Sequence, residues 1–374
     1  MYKARCESSG NNIPGEVKLG ITLRLFAGAS YLDMFLWFNV CPDHARKISR
    51  EVMEKWICND NVICINYLDQ VLKDNGNRQE ISNLFSIRND GVLDGCIGAL
   101  DGWLVKIFCP TNKEIENPGK YFSRKGFYAL NVQVIVDMKK RVLWRFIGRK
   151  RSAHDSPVFN ESKLGKFMYE HAAIFFARGW YLVGDSPYAL RPYLMTPHDN
   201  AKSGSKEDNY NFFQSSTRIY VECTFGEIDR RWGIFWRPLQ GSLVNHRYTI
   251  DSSLRLHNYI IDWRGAEIER QGPRVEHGVR RQATDGIESN RELDVASRTF
   301  MIRNPFAMIG TYSEGLEEDR ARGRPTNKEK EIRNQGKLIR DELTNTIRRK
   351  GLLRPSTRRQ MQERDEFNRV RINY

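Results

Sequence analysis

This sequence predicts an α/β protein with a mixed sheet flanked by helices at its centre, a small helical region before it and a basic, partly disordered tail after it. Three observations predict it. Strand-like apolar runs alternate with helical segments from about Gly95 to Trp263, three short helix-patterned segments fill Val17 to about Ile57, and beyond Trp263 apolar periodicity gives way to charge. The divisions fall at 1–94, 95–263 and 264–374 in a chain of 374 residues, enough for two or three domains of roughly 100–200 residues each.

The first region reads VKLGITLRLFAGA, then SYLDMFLWFNV, then PDHARKISREVMEKWI, with breaks at Ala29-Ser30 and Cys41-Pro42. In the third segment Ala45, Ile48, Val52 and Trp56 form one apolar stripe, while His44, Arg46, Lys47 and Arg50 lie opposite. Such a unit suits a helix-turn-helix, which would place Arg46, Lys47 and Arg50 against DNA, and equally a plain helical bundle with a solvated basic face.

The centre is built differently. CIGALD, WLVKIF, YALNVQVIVDM and RVLWRFIGR read as strands, with a hairpin through Lys139-Lys140. A helical stretch from Val158 to Phe176, the strand WYLVGD and a helix from Arg218 to about Gly233 follow, and this strand, helix, strand order adds a parallel element. In the tail, residues 264–374 carry 25 Lys and Arg against 18 Asp and Glu. Its segment 326–353 can form a charged helix with Ile332, Ile339 and Leu343 as a sparse apolar stripe, and the tail as a whole is of a kind that orders on binding.

The net charge of +14 favours a polyanionic partner, nucleic acid before membrane. No apolar run approaches the roughly 18 residues a bilayer span needs, and the opening MYKARCESSGNNIPGE has no apolar core, so a soluble, non-secreted protein is expected. The seven cysteines form no C-x-x-C pair and keep no zinc-finger spacing with histidine, so they read as reduced thiols.

The acids carry the chemistry. Asp101 follows CIGAL as Asp185 follows WYLVG, so two apolar strands each deliver a carboxylate near their ends, where ligand sites form in sheets with parallel strands. Taken alone, Gly-Asp-Ser-Pro after a strand is an ordinary turn. Glu222 stands early in the helix RIYVECTFGEIDRRWGIF, beside the buried face of Val221, Phe225, Ile228 and Trp232 and in line with Gly226 and Asp229, with Gly226 leaving room for another group. Asp155, in SAHDSPVF, is either a fourth member or a helix N-terminal acid favoured by the dipole. Gathered carboxylates repel unless a cation neutralises them, and oxygen ligands suit Mg²⁺ or Mn²⁺. Two such ions about 4 Å apart activate water and stabilise the leaving oxygen in phosphoryl displacement.

Together the segments GALDG (98–102), YFSRKGFYALNVQVIVD (121–137), HDSPVF (154–159), VGDSPY (183–188), LMTP (194–197), NFFQSSTRIYVECTFGEIDRRWGIFWRPL (211–239) and LHNYI (256–260) resemble the DDE nuclease domain of PIF/Harbinger-type transposases and Harbinger transposase-derived nucleases. The resemblance implies an RNase H-like fold and a metal-dependent DNA endonuclease, capable of strand transfer if the element is intact. It implies that Asp101, Asp185 and Glu222 are the catalytic acids and that Asp155 joins them as a metal ligand. Arg124 and Lys125 match a basic pair that holds a phosphate or forms a solvated turn. Arg218 is a phosphate contact or a salt-bridge partner, and His154 orients Asp155. The family's helical region before the nuclease favours the helix-turn-helix reading of residues 17–57. Double-stranded DNA, a Myb-like DNA-binding partner protein, a homo-oligomer and a nuclear location are further implications.

Two departures bear on substrate positioning. Trp103 and Leu104 stand where the family commonly has Thr-His, and the basic RKRSA precedes Asp155. Trp103, Tyr128 and Trp236 are candidates for stacking on bases, or are core aromatics. The competing expectation is a domesticated derivative that binds DNA or protein without cutting.

Overall fold

The computed structural model describes residues 13–60, 63–65, 71–72, 75–123, 125–149, 155–271 and 326–354. Two compact units are drawn from interleaved stretches of chain. The first takes Met1–Asn66, Leu104–Leu130 and Gly226–Glu314, and the second takes Tyr67–Trp103, Asn131–Phe225 and Gly315–Tyr374. Among the described residues no helix is long and apolar enough to cross a membrane.

In the first unit, helices α1 (Gly15–Phe26), α2 (Tyr31–Phe38) and α3 (Pro42–Val52) pack through Ile21, Leu25, Phe26, Met34, Ala45, Ile48 and Val52, all buried. Their ends are set locally. The Ser30 hydroxyl accepts from the Leu32 and Asp33 N–H groups while the Asp33 carboxylate accepts from Ser30 N–H at 2.8 Å, a reciprocal cap that fixes the start of α2. Asn39 ends α2 in the left-handed conformation (φ 52°), and Pro42 opens α3, where its missing N–H costs nothing. These helices match the three segments anticipated, and Trp56 continues α3 into a wider turn, Met53–Ile57. Arg46, Lys47 and Arg50 all lie on the exposed side of α3. Arg46 is 2.6 Å from Asp43 and lies 4.6 Å above the Tyr31 ring, and Arg50 is 3.8 Å from Glu54.

Within the same unit the long helix Leu243–Gln271 carries Arg255, whose side chain is fully buried. Its Nε meets Asp251 at 3.0 Å, its Nη2 meets Asp60 at 2.6 Å, and its Nη1 donates to the Ile63 carbonyl. Burial opposes the charge, but the Asp251 and Asp60 carboxylates outweigh it and hold the guanidinium above its ordinary pKa.

The sheet has five strands, β1 (Cys96–Lys106), β2 (Ala129–Val136), β3 (Val142–Arg149), β4 (Tyr181–Val183) and β5 (Leu194–Met195), in the order β3-β2-β1-β4-β5. CIGALD and WLVKIF, expected as separate strands, run on as the single strand β1, because Gly102 fits an extended backbone without breaking it. Every residue of β2 is buried, which is why YALNVQVIV shows no alternation: both its faces are covered. The β2–β3 turn closes at Asp137 to Arg141 around left-handed Lys140 (φ 64°), with Asp137 Oδ1 accepting from the Arg141 N–H at 2.9 Å.

Between β3 and β4 the expected single helical stretch is three short helices, Asp155–Glu161, Lys163–Glu170 and Ala172–Arg178. Ser162 causes the first break: its hydroxyl accepts from Gly165 N–H at 2.9 Å and restarts the helix. The charged helix of the tail, Asn327–Arg349, packs in the second unit on Ala172–Arg178 and β5. Ile332, Gly336, Leu343, Thr344 and Ile347 are its buried residues, and a side chain on Gly336 would begin 2.8 Å from the Arg191 backbone. Arg340 donates to the Pro197 carbonyl at 2.9 Å, and His198 Nε2 meets Thr344 Oγ1 at 3.0 Å. Residues 272–325 and 355–374 of the basic tail lie outside the described residues.

Candidate active site

Strand register brings the first two acids together. β1 and β4 pair in parallel with Cys96 opposite Tyr181 and Ala99 opposite Val183. Asp101, on β1, and Asp185, in the turn after β4, each stand two residues beyond that last pair. The turn bearing Asp185 is fixed on several sides. Gly184 N–H donates to the Met195 carbonyl at 3.0 Å, and Tyr188 N–H donates to the Asp185 carbonyl at 3.1 Å. The Tyr188 hydroxyl donates to buried Gln133.

Glu222 comes from the helix Lys206–Arg231, which begins well before the Arg218 start expected from sequence. The cause is a cap upstream: Ser205 accepts from Asp208 N–H at 3.2 Å, and Glu207 and Asp208 occupy the first turn. Glu222 therefore sits in a helix interior, where its backbone is fixed by turns on both sides. Two contacts set this helix against the sheet. Gln214 Nε2 donates to the Gly184 carbonyl at 2.6 Å, next to Asp185, and Phe225 stacks on Trp103 with centroids 5.8 Å apart and planes 16° apart.

The three acids converge on one guanidinium. Arg218 Nη1 lies 3.0 Å from Asp101 Oδ2 and also contacts Glu222 Oε1, and its Nε is 4.0 Å from Asp185 Oδ1. Burial works against the Arg218 charge, but the Asp101, Asp185 and Glu222 carboxylates together raise its pKa above the ordinary value. The Arg218 and Asp101 side chains are 16% and 17% exposed, while Asp185 and Glu222 are 45% and 48% exposed, so the cluster has a closed floor and an open mouth. Asp101 Oδ1 also accepts from the Gly102 N–H at 2.7 Å. The role of Arg218, left open between phosphate contact and salt bridge, is in this structure that of an ion-pair partner to all three acids. Its i, i+4 spacing to Glu222 was the signal available in the sequence.

The donor set is all oxygen, which fits a hard divalent cation. Among the described residues, however, no group of three or more His, Cys, Asp or Glu stands close enough to hold an ion as it is. The carboxylates fit such an ion in chemistry and direction, with Arg218 between them.

Of the other predicted residues, Asp155 is the first residue of the helix Asp155–Glu161, and its side chain lies outside the described residues, as do Arg124 and His154. Lys125 is exposed in a turn, its N–H 3.2 Å from Ser123 Oγ. Of its two readings Trp103 takes the second: at 8% exposure and stacked on Phe225 it is a core aromatic. Gly226 leaves the room expected of it: among the described residues a side chain there would meet nothing within 4 Å. Trp236 is 71% exposed, its indole N–H donating to the Asp229 carbonyl at 2.8 Å.

Residues 100–258, which contain all four acids, match the family of DDE superfamily endonucleases. The chain carries a DDE endonuclease domain. It is homologous to Harbinger transposase-derived nucleases. It is 27% identical over 162 residues to "Putative nuclease HARBI1" of Xenopus laevis, covering 43% of each chain. It is 28% identical over 161 residues to the Homo sapiens protein of the same name, covering 43% of this chain and 42% of the relative. To "Protein ALP1-like" of Arabidopsis thaliana it is 23% identical over 201 residues, covering 50% and 48%. The matched stretch thus spans about half the length of these curated relatives or less. No solved structure matches the chain.

Proposed function

We propose that this protein is a divalent-metal-dependent DNA endonuclease of the DDE transposase type, with Asp101, Asp185 and Glu222 as its catalytic acids and Asp155 completing the metal shell. The observation that carries this reading is the convergence of the three acids, from β1, the turn after β4 and the helix Lys206–Arg231, on one guanidinium in a domain of the DDE endonuclease family. Two divalent ions, Mg²⁺ or Mn²⁺, would lower the pKa of water and offset charge at the leaving oxygen. The chain's own part is to hold the acids in place. Asp101 is fixed on a strand with one oxygen on the Gly102 N–H, and Asp185 is fixed by the turn that Gln214 and Tyr188 anchor. The more exposed Asp185 and Glu222 line the side from which a phosphodiester would approach.

The substrate we propose is double-stranded DNA at transposon ends, cut to leave a 3′-hydroxyl for strand transfer. The charge of +14 supports a polyanion, with affinity falling steeply as salt rises. Arg46, Lys47, Arg50 and Lys125 are exposed cations suited to phosphates, and the helix-turn-helix reading of α1 to α3 rests on the resemblance to Harbinger transposases. Nuclear location, a homo-oligomer and a Myb-like partner protein belong to the same proposal and rest on the resemblance to Harbinger transposases.

A second reading is favoured by one observation. Arg218 already compensates the acids, so a derivative that binds DNA or protein without cutting could keep them. Plasmid nicking in Mg²⁺ or Mn²⁺ separates the two. The wild type should nick, EDTA should abolish nicking, and Asp185→Asn should lower it by a factor of about 100 or more. Equal nicking by wild type and Asp185→Asn would remove the assignment, and retarded DNA with no nicking by either would favour the second reading.

A further inference from the structure

Nothing in the proposed chemistry requires a cation from the protein at the centre of the acid cluster, yet one is there. Arg218 reaches that point from the helix that carries Glu222, one turn earlier, and its side chain is among the least exposed of the four. Guanidinium does not lose its proton in proteins, and its planar fork suits several carboxylates at once. It therefore meets, within the fold, the need that a divalent ion would otherwise meet: to offset negative charges brought together in a half-buried place.

The contacts also set the guanidinium against a metal ion. One oxygen of Asp101 accepts from the Gly102 N–H at 2.7 Å, and the other faces Arg218 Nη1 at 3.0 Å. The same Nη1 contacts Glu222. A Mg²⁺ or Mn²⁺ ion draws its oxygen ligands to roughly 2.0–2.2 Å, far closer than they stand around a guanidinium, and it carries charge of the same sign. Cation and guanidinium cannot occupy the space between these carboxylates together.

We propose that Arg218 is the built-in counter-ion of the acid cluster and competes with divalent metal for it, so that metal entry and withdrawal of the Arg218 side chain are one event. The inference rests on the metal-site reading above. Arg218 offsets the charge of the acids before metal arrives, while β1, the turn after β4 and the helix backbone hold them in place, so it sets how much metal is needed to load them. An ordinary structural salt bridge would act differently, because its loss would loosen the acids and weaken metal binding instead of strengthening it.

The test is Mn²⁺ titration of the full chain at fixed ionic strength, with free Mn²⁺ followed by its electron paramagnetic resonance signal. Arg218→Met, which keeps the length of the side chain and removes the charge, should bind Mn²⁺ about tenfold more tightly than wild type or better. Arg218→Lys, with a compact charge that cannot span three carboxylates, should fall between them. Without metal the Arg218→Met protein should melt at a lower temperature than wild type, and saturating Mn²⁺ should close the gap. Should Arg218→Met fail to fold, Arg218→Lys against wild type gives the same comparison. Binding by both variants that is equal to or weaker than wild type, with Asp185→Asn still weakening it, would overturn the competition and leave the metal site standing. No Asp185-dependent Mn²⁺ binding in wild type or either variant would overturn both.

Discussion

Replacing Arg255 by Met would show how much of the first unit depends on one buried charge. The guanidinium is fully buried between Asp251 at 3.0 Å and Asp60 at 2.6 Å, and it also donates to the Ile63 carbonyl. Methionine keeps most of the aliphatic stem, so little of the loss is volume. Removing one partner of a buried ion pair costs about 3–5 kcal/mol because the other charge is left without compensation. Here the stranded side chains are 22% and 15% exposed overall, although the Asp60 oxygen that faces Arg255 is buried, so the lower end of that range applies. Loss of the bond to Ile63 adds about 1 kcal/mol, for a total of about 4 kcal/mol. Adding Asp60→Asn and Asp251→Asn removes the stranded charges and should restore about half of that. Urea unfolding followed by tryptophan fluorescence measures each variant. A triple variant no more stable than Arg255→Met would refute the electrostatic account, and so would a single-variant loss below about 1 kcal/mol.

Two further outcomes follow from the second unit. Burial pushes the Asp137 carboxyl from 3.8 up to about 6, against the opposing Arg141 N–H and the nearby Arg141 and Lys139 charges. Between those values the folded protein holds a proton that the unfolded chain has released, so stability falls as pH rises through that window. Asp137→Asn, which still accepts from Arg141 N–H, should flatten melting temperature against pH between about 4 and 6 and add about 2–3 kcal/mol at pH 7; an unchanged slope would count against this. Gly336→Ala should destabilise by about 1–3 kcal/mol although alanine is the better helix former, since its Cβ would sit 2.8–3.1 Å from the Arg191 backbone. Faster proteolysis within Asn327–Arg349 would confirm it, and a more stable protein would refute it.

Much of the centre was legible because its signals are local. The hairpin, the strand WYLV and the apolar stripe of the helix bearing Glu222 all follow from residue type and period, and the parallel pairing of β1 with β4 follows two similar apolar runs, each with an acid shortly after it. What stayed hidden depends on partners distant in sequence. Gly102 looked like a strand end, but β1 continues through it. Which of its two readings Trp103 would take, stacking surface or core, was decided by Phe225, which arrives from the far helix. The capping residue Ser205 lies in a polar stretch, KSGSKEDN, that carries no apolar period to announce a helix. The place of Arg218 could not be read from its own segment, since Asp101 and Asp185 reach it through the sheet.

The clasp between His198 and Thr344 joins positions 146 residues apart in the chain. Strand β5 and the Thr196 and Pro197 carbonyls are thus sheltered by a helix that emerges from the ribosome long after them. The stretch that matches the DDE endonuclease family, residues 100–258, and the stretches of chain that pack around β5 are consequently different objects. A clone trimmed to the recognisable part would lack its final slab and leave a bare strand edge open to pairing with its neighbours.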